Sequence, residues 1–384
     1  MKTGKLLMLA AATAALGVSA GGAQIAAPMS KIQPPARPAA QMRGDGDAPA
    51  ATEFSITYAD PALKDVIDPD AKLVELARDF GLNEGPVWFP GDNDGYVLFG
   101  GLLDNVIYKV TLDKKVSVFL DYAGYTGNNP ANTGAQTRAG RSHVLLIGPS
   151  CTGRDPEDRL VWCADNDRMV MRLEKDGTRT VLSAGYDGKP FNSPNDISVR
   201  NDGAIFMADN AFGLRGADQS KDKLVPNAVY LIKDGKTTKL LDESEMDGGV
   251  PNGITLSRDA KFLYLSTGHR RIKRYPVNAD GTLGAGTIFT EGPGIGDGMK
   301  TDIAGNIYSS GGGAPGIVRI TAPSGKLLGT LNLPSYGGEP KRQICATNIA
   351  FGRPDGRSLF ITACDALYEV RVKIPGAVPG ADPS

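Results

Sequence analysis

Histidine and tryptophan are scarce in this 384-residue chain, with two of each, and cysteine occurs four times. The histidines are His143 and His269, and no Cys-x-x-Cys occurs, so the residues of a typical zinc site are missing. His143 could reach a pocket, whereas His269 stands beside two arginines and is expected to face solvent. Neither histidine has a Gly-x-Ser-x-Gly nucleophile motif near it, which argues against a serine hydrolase.

An excess of either charge is also missing, because 42 basic residues face 43 acidic ones. This balance excludes the strong basic field that is typical of nucleic-acid-binding proteins, and we expect no nucleic-acid partner. The apolar run at residues 6–18 is too short to span a bilayer comfortably.

The N-terminus has the layout of a secretory signal. Lys2 and Lys5 precede the apolar run, and small residues follow it, with plausible cleavage after Ala20 or Ala23. We predict a signal peptide at residues 1–23 and a secreted or periplasmic protein with no membrane insertion after cleavage; a buried core helix is the alternative. Residues 24–53, rich in proline and alanine, are typical of a flexible linker.

The four cysteines all follow this linker, and an even count in an oxidising compartment permits two disulfides. Cys151 and Cys163 flank one turn, and Cys345 and Cys364 flank another, so a hairpin would bring each pair close. Bonding within each pair and free buried thiols both stay open.

Glycine, by contrast, is abundant, with 49 residues, which favours many short strands and turns. Apolar runs follow turns six times between residues 96 and 358, on average about 52 residues apart. The runs begin at Tyr96, Leu160, Ala204, Phe262, Asn306 and Ser358. No long amphipathic helix interrupts the series.

This interval is typical of the blades of a β-propeller. We predict an all-β fold, a six-bladed β-propeller over residues 54–373, with a metal site in its central channel and a C-terminal tail at 374–384. A strand near residues 72–76 is expected to close the ring beside residues 366–370. Two β-sandwiches are the alternative architecture, which fits the periodic turns less well.

Four oxygen-bearing side chains open four of these units, in the motifs Asn83-Glu84-Gly85-Pro86, Ser193-Pro194-Asn195-Asp196, Pro251-Asn252-Gly253-Ile254 and Gly296-Asp297-Gly298. Each motif begins an innermost strand, which lines the channel of a propeller. We therefore predict that Glu84, Asn195, Asn252 and Asp297 converge on one divalent ion. Two carboxylates and two amide carbonyls suit Ca²⁺, with Zn²⁺ or Mn²⁺ as alternatives. Local capping of turns is the competing explanation for each residue.

Other polar residues are candidates to support these ligands or to contact a substrate. Asp196 and Asp209 are expected to hold ligands in place, with surface charge pairing as the alternative. The pair Thr347 and Asn348, which opens the sixth unit, is expected at the channel mouth, and Ser193 and His143 are further candidates. The second unit opens with Ser150-Cys151-Thr152 and is predicted to line the pocket without binding metal.

Over residues 72–372 the chain resembles the SMP-30/gluconolactonase/LRE family. Five motifs carry the resemblance in the family's order: Glu84-Gly85-Pro86-Val87-Trp88, Ser193-Pro194-Asn195-Asp196, Pro251-Asn252-Gly253, Asp297-Gly298-Met299 and Thr347-Asn348-Ile349-Ala350-Phe351-Gly352. The resemblance implies a six-bladed propeller with a divalent ion, commonly calcium, and hydrolysis of sugar lactones.

By this resemblance Glu84, Asn252 and Asp297 ligate the ion, Asn195 ligates it or binds substrate, and Asp297 also acts as general base. The expected mechanism is attack of water on a lactone carbonyl that the metal polarises. A metal-dependent lactonase or esterase is therefore the predicted function. A non-catalytic periplasmic propeller that binds a sugar or a protein is the alternative.

Three positions depart from the family's usual pattern. Gly100-Gly101 stands where members often have Ser-Asp, Cys163-Ala164-Asp165-Asn166 replaces Cys-Glu-His-Gly, and Ser150-Cys151-Thr152 replaces an Asn-Gly opening. These residues are expected on the pocket wall or its support, so they bear on the identity of the substrate. The insertion at residues 122–141 is expected to form either a lid over the channel or a surface loop.

Overall fold

The computed structural model describes residues 51–127, 134–136, 144–214, 225–312, 315–335 and 345–380. Within these ranges the chain forms twenty-five strands and one short helix, α1 (Leu63–Val66). The all-β prediction is therefore confirmed. None of the helical structure in these ranges is long and apolar enough to cross a membrane.

The strands form antiparallel sheets whose members mostly follow one another along the chain. The first four-stranded sheet contains β8 (Thr152–Arg154), β9 (Leu160–Ala164), β10 (Met169–Leu173) and β11 (Arg179–Ser183). The second contains β12 (Pro194–Val199), β13 (Ile205–Asp209), β14 (Ala228–Lys233) and β15 (Lys236–Asp242). The third contains β16 (Ile254–Leu256), β17 (Phe262–Ser266), β18 (Arg271–Pro276) and β19 (Thr287–Glu291).

Two larger sheets and one small sheet complete the set. A five-stranded sheet contains β20 (Met299–Thr301), β21 (Ile307–Ser310), β22 (Ile317–Thr321), β23 (Leu327–Asn332) and β1 (Ser55–Tyr58). A six-stranded sheet contains β24 (Asn348–Gly352), β25 (Ser358–Arg371), β2 (Leu73–Phe89), β3 (Tyr96–Gly101), β4 (Val106–Thr111) and β5 (Val116–Asp121). The two-stranded sheet pairs β6 (Gly134–Gln136) with β7 (Val144–Leu146).

The structure thus has five large sheets where six were predicted. The reason is that β2 and β25 are long and pair with each other, which joins the strands expected for the first and last blades. Leu73 pairs with Val370 and Arg78 with Ala366, and β2 then pairs with β3 from Asn83 to Phe89. The predicted ring closure by residues 72–76 beside residues 366–370 is confirmed.

The first strands of the predicted units form a closed ring around the channel. Each strand of the series β2, β8, β12, β16, β20 and β24 contacts the next, and β24 contacts β2. Buried apolar residues fill the spaces between neighbouring sheets, as where Phe206 and Val229 pack with Leu263 and Leu265. Such packing of each sheet on its neighbours is how a propeller avoids a single oversized core. The structure is therefore a β-propeller.

Tight turns connect the strands because Asp, Asn and Gly adopt positive φ at low cost. Between β2 and β3 the turn residues Asn93, Asp94 and Gly95 have φ values of 53°, 67° and 90°. A side chain at position 95 would also overlap the carbonyl of Phe89. The predicted hairpin turn there is confirmed, and glycine is required at its last position.

Two disulfides lie among the described residues. Cys151 bonds Cys163, and Cys345 bonds Cys364, with Cα–Cα distances of 5.1 and 5.4 Å. Pairing within each predicted pair is therefore what the structure shows. Cys163 lies in β9 and Cys364 in β25, so each bond ties an inner-strand opening to the strand beside it.

The segment predicted as a C-terminal tail crosses one end of the propeller as far as residue 380. Gly376 N donates to Gly356 O, and Ile303 N donates to Pro375 O. Ala377 N donates to Thr301 O. Further along the segment, Asn201 N donates to Pro379 O and Gly380 N donates to Arg258 O. Residues 375–380, hereafter the C-terminal strap, thereby connect four sheets.

Ending the chain after Ile374 is therefore expected to lower the melting temperature by at least about 5 °C, because five backbone hydrogen bonds worth about 0.5–1.5 kcal/mol each are lost. Thermal unfolding followed by circular dichroism measures the change. Removal of residues 381–384 alone is the control for chain length. An unchanged melting temperature after removal of the strap would show that it does not stabilise the sheets.

Candidate active site

The four predicted ligands all stand where inner strands begin. Glu84 lies in β2 at the start of its pairing with β3, and Asn195 lies in β12. Asn252 and Asp297 each precede an inner strand by two residues, β16 and β20 respectively. Glu84 is buried, with 8 % exposure, whereas the other three are partly exposed. The predicted placement on inner strands is what the structure shows.

Glu84 and Asp297 lie close enough for their charges to interact. Burial raises the pKa of the Glu84 carboxyl well above its usual range, and the charges of Asp297 and Asp196 raise it further. The Gly85 N–H and the Asn348 amide lower it in part, and Gly85 donates to Glu84 Oε2 at 2.9 Å. Asp297 and Asp196 are therefore both near enough to Glu84 for their charges to act on its carboxyl.

Asp196 fixes the inner strands relative to one another. Its carboxylate, 3 % exposed, accepts hydrogen bonds from Ile197 N at 2.9 Å and from Ile254 N at 3.0 Å. The Asn348 amide lies 3.5 Å from Asp196 Oδ1. Asp196 thus connects β12, β16 and β24, and the expectation that it supports the ligands agrees with these contacts.

Glycines allow the inner strands to approach closely at the same level. A side chain at Gly253 would overlap the carbonyl of Asp297, and one at Gly298 would overlap the Asn348 side chain. A Cβ at Gly312 would lie 2.8 Å from Asp297 Oδ2. The sequence Asn252-Gly253 and the sequence Asp297-Gly298 therefore stand directly beside each other, with no room for larger residues.

Asp209 holds the turn that precedes Asn195. Its buried carboxylate accepts the N–H groups of Asn192 and Ser193, both at 2.8 Å. The alternative of a surface charge pair is wrong for Asp209, because this residue is completely buried. Ser193 is also buried, and its hydroxyl has no hydrogen-bond partner within the described ranges. Ser193 therefore contributes to this turn through its backbone N–H, which donates to Asp209.

Thr347 and Asn348 connect the first and last parts of the six-stranded sheet. The Thr347 hydroxyl donates to Asn83 O at 2.8 Å, and both residues are buried. Asn348 Oδ1 accepts from Ile349 N at 2.9 Å, which leaves its amide nitrogen directed to Asp196 and Glu84. Both residues therefore position the acids, and Thr347 does not face an open channel mouth.

Sequence reasoning expected Asp165 on the pocket wall or its support, as part of the departure at 163–166, but gave it no individual role. The Asp165 carboxylate, 5 % exposed, accepts the Ser150 N–H at 3.0 Å and contacts the Ser150 hydroxyl at 2.7 Å. The same hydroxyl lies 2.8 Å from the carbonyl oxygen of Asn195. Burial raises the pKa of Asp165 well above its usual range. The departure from the family pattern at 163–166 was the available signal.

The histidines and the insertion contribute little that the structure describes. His143 lies outside the described residues, as does most of the insertion at 122–141, so the lid stays a prediction. His269 is exposed, as expected. Within the described ranges no group of three or more His, Cys, Asp or Glu side chains could hold a metal ion. Two of the four predicted ligands are asparagines, which such a group does not include.

Comparison with known proteins gives the family. The family model described as an SMP-30/Gluconolactonase/LRE-like region matches residues 82–365. The chain belongs to the SMP-30/gluconolactonase/LRE-like family. This confirms the resemblance carried by the five sequence motifs.

Relatives with known names support the family assignment. The chain is 33% identical to a gluconolactonase of Zymomonas mobilis over 342 residues, 85% of this chain and 88% of that protein. A solved gluconolactonase from Xanthomonas campestris matches with a TM-score of 0.66 and 26% identity over 85% of this chain and 99% of that one. Regucalcin from Agrobacterium tumefaciens, a calcium-binding protein, shares the fold, with a TM-score of 0.59 and 19% identity over 80% and 96% of the two chains.

Proposed function

We propose that this protein hydrolyses the ring ester of a sugar lactone at the end of the channel where Glu84 and Asp297 meet. Family membership and the 33% identity to a gluconolactonase over most of both chains support this activity. The observation that carries the proposal is the convergence of Glu84, Asp196 and Asp297, with Asn195 and Asn252 on adjoining strand openings. A cluster of acids and amides suits a polar, hydroxyl-rich ligand and a hard cation.

The residues present fit a divalent ion, and calcium is the ion that we propose. Glu84 and Asp297 raise each other's energy when both are charged, and a cation between them would relieve that repulsion. Glu84, Asn195, Asn252 and Asp297 would hold the ion through hard oxygens, which Ca²⁺ prefers and which Mn²⁺ or Zn²⁺ can also use. When bound, the ion would polarise the lactone carbonyl as a Lewis acid.

The chain's own groups would supply the remaining chemistry. Asp297 is partly exposed and stands at the channel opening, where its carboxylate can take a proton from an attacking water. Asn195 and Asn252, also partly exposed, can orient the sugar hydroxyls or share in holding the ion. Asp196 and Asn348 lie deeper and keep these strands in place. Water attack opens the ring and leaves a hydroxycarboxylic acid.

The six-stranded sheet is proposed to act as two blades, which gives the six blades of the original prediction. Two observations support this division. The pairing of β2 with β25 shifts in register between Arg78 and Asn83, where the pairing of β2 with β3 begins. Six inner strands, not five, also close the ring around the channel.

Export to the periplasm or the medium remains our proposal for localisation. Two disulfides among the described residues support it, because such bonds persist in oxidising compartments. The signal-like residues 1–23 are the sequence feature that suggested export. N-terminal sequencing of the exported protein tests both the export and the signal peptide, since cleavage after Ala20 or Ala23 predicts a new N-terminus at residue 21 or 24.

Hydrolysis of a lactone panel tests the function. Aldonolactones and simple γ- and δ-lactones are offered to the purified protein, and acid release is followed with EDTA and then with Ca²⁺, Zn²⁺ or Mn²⁺ restored. The proposal requires hydrolysis of at least one sugar lactone that EDTA removes and one metal restores. A well-folded sample that binds sugars but releases no acid with any metal would instead indicate a non-catalytic binding propeller.

Ser150→Ala is expected to lower kcat/KM about tenfold by loosening Asn195, since the Ser150 hydroxyl bridges the Asn195 carbonyl and Asp165. Most of the change should appear in KM or in metal affinity, because Ser150 does not reach the reacting atoms. Ser244→Ala, at an exposed turn, is the matched control. A Ser150→Ala enzyme with unchanged kcat/KM would remove this bridge from the site.

A further inference from the structure

A cavity lies further along the channel than the acidic site. Its volume is about 170 Å³, well above the roughly 10–15 Å³ that one water molecule needs. All six inner strands contribute to its wall, for example through Trp88, Ile197, Lys300 and Phe351. Lys300 follows Asp297 by three residues, which places the two levels about 10 Å apart along an extended strand. We call this space the basal cavity.

The charge of the basal cavity is opposite to that of the acidic site. Its lining includes the cations Lys300 and Arg154 and no aspartate or glutamate. The Lys300 ammonium donates to its neighbour's carbonyl, Met299 O, at 3.1 Å, and no ion pair joins it to a carboxylate of the described residues. Arg154 lies over the Trp88 ring and is 3.4 Å from the exposed Asp158. Lys300 therefore brings a positive charge that no described side chain neutralises by direct contact.

The acid whose charge interacts with Lys300 is Asp196, and its carboxylate is already hydrogen-bonded by the backbone. Asp196 accepts the N–H groups of Ile197 and Ile254. The charge of Lys300 lowers the pKa of Asp196, against the larger effect of burial, so the two groups interact at a distance. This interaction weakens the pull of Lys300 on a ligand without removing it.

The rest of the wall combines hydroxyls with apolar surface. Ser198 and Thr255 bring hydroxyls to the cavity, and Ile197, Phe351 and Trp88 bring apolar surface. A free inorganic ion would use the cation and the hydroxyls but leave the apolar wall bare. A small organic acid matches both parts, because its carboxylate pairs with an ammonium and its carbon chain covers apolar groups.

We propose that the basal cavity binds a small organic carboxylate, whose charged group pairs with the Lys300 ammonium and the neighbouring hydroxyls. Ala377, Val378 and Pro379 of the C-terminal strap form part of the wall and cover the ligand from the end of the propeller. The site is separate from the lactone site and does not require lactone hydrolysis. The proposed product, a sugar acid, belongs to the same chemical class and is one source of ligand.

Isothermal titration of the full chain with acetate, with gluconate and with inorganic phosphate tests the proposal. The protein is first stripped of metal with EDTA and then dialysed into metal-free buffer without EDTA, because the acidic site then has no ion to attract a carboxylate and no chelator competes for the basal cavity. The expected result is saturable binding of at least one carboxylate, with phosphate weaker, and a loss of about tenfold or more in affinity for Lys300→Met. Lys261→Met, at an exposed position, is the matched control and should bind as the parent does.

Two further variants keep the outcome decisive. Lys300→Arg preserves the positive charge and should retain carboxylate binding, which provides a test even if Lys300→Met fails to fold. Thr255→Val removes one hydroxyl at nearly constant volume. Asp297→Asn should bind the carboxylate as the parent does, which separates this site from the lactone site. Absence of saturable carboxylate binding, equal binding of phosphate, or full affinity in a folded Lys300→Met protein would overturn the proposal.

Discussion

Asp297→Asn is expected to lower kcat for lactone hydrolysis by about 10²–10⁴-fold, the usual contribution of a general base. Asparagine has nearly the same shape, so it fits beside Gly312 and the packing of the inner strands should persist. The lost group is the partly exposed carboxylate that can accept a proton from water at the channel opening. Initial rates on the best lactone of the panel, with saturating metal, give the change in kcat.

Loss of metal and loss of the base must be separated, because Asp297 is proposed for both roles. Titration of calcium into the variant measures the first, and rates at saturating calcium measure the second. Asp70→Asn, at an exposed aspartate, is the control for the change of charge alone. A variant that retains full kcat would exclude Asp297 as the base, whatever its effect on metal affinity.

Removal of divalent ions is expected to abolish hydrolysis and to lower the melting temperature by about 5–10 °C. An ion present at 100 times its dissociation constant stabilises the folded state by about 2.7 kcal/mol. The physical reason is that the proposed ligands stand on β2, on β12 and just before β16 and β20, so one ion joins several sheets. Without the proposed ion, the repulsion between the charged Glu84 and Asp297 carboxylates would also be uncompensated.

Thermal unfolding with and without EDTA, and again after each metal is restored, measures this effect. Glu84→Gln is the informative comparison, because it removes one proposed ligand and also the repulsion between carboxylates. The variant should therefore respond less to chelator than the parent. Melting curves of the parent that coincide with and without EDTA would argue against an ion in the channel.

The channel has two chemically different regions, one lined by acids and one that contains the cation Lys300. Glu84, Asp196 and Asp297 meet at the level where the inner strands begin, and Lys300 lies three residues beyond Asp297 on β20. The Asp196 carboxylate accepts the backbone N–H groups of Ile197, which lines the basal cavity, and of Ile254. A cation is therefore favoured on one side and an anion on the other.

Ring closure shows what a sequence pattern can and cannot specify. The alternating strands near residues 72–76 and 366–370 were predicted to pair, and Leu73 does pair with Val370. Periodic turns do not reveal where one sheet ends and the next begins, because that depends on which backbone groups pair. β2 and β25 continue through the expected boundaries, so five sheets formed instead of six.

Local features of the fold can be recognised from the amino-acid sequence. Asp-, Asn- and Gly-containing turns fixed the strand boundaries, and the spacing of the motifs placed Glu84, Asn195, Asn252 and Asp297 at inner-strand openings. These features depend on backbone preferences and on residues close together in the chain, which a linear pattern records. For the cysteines the sequence indicated only that a hairpin turn brings each pair close, and the structure shows that both pairs are bonded.

Contacts between segments that are distant in the chain become apparent only in the folded protein. Ser150, Asp165 and Asn195 form one hydrogen-bonded bridge, and the strap reaches from Gly356 to Asn201. The partners lie far apart in the chain, and a serine, an aspartate or a stretch rich in proline and alanine has no periodicity that would mark such a role. Their function depends on burial and on hydrogen bonds that form only when the ring of sheets closes.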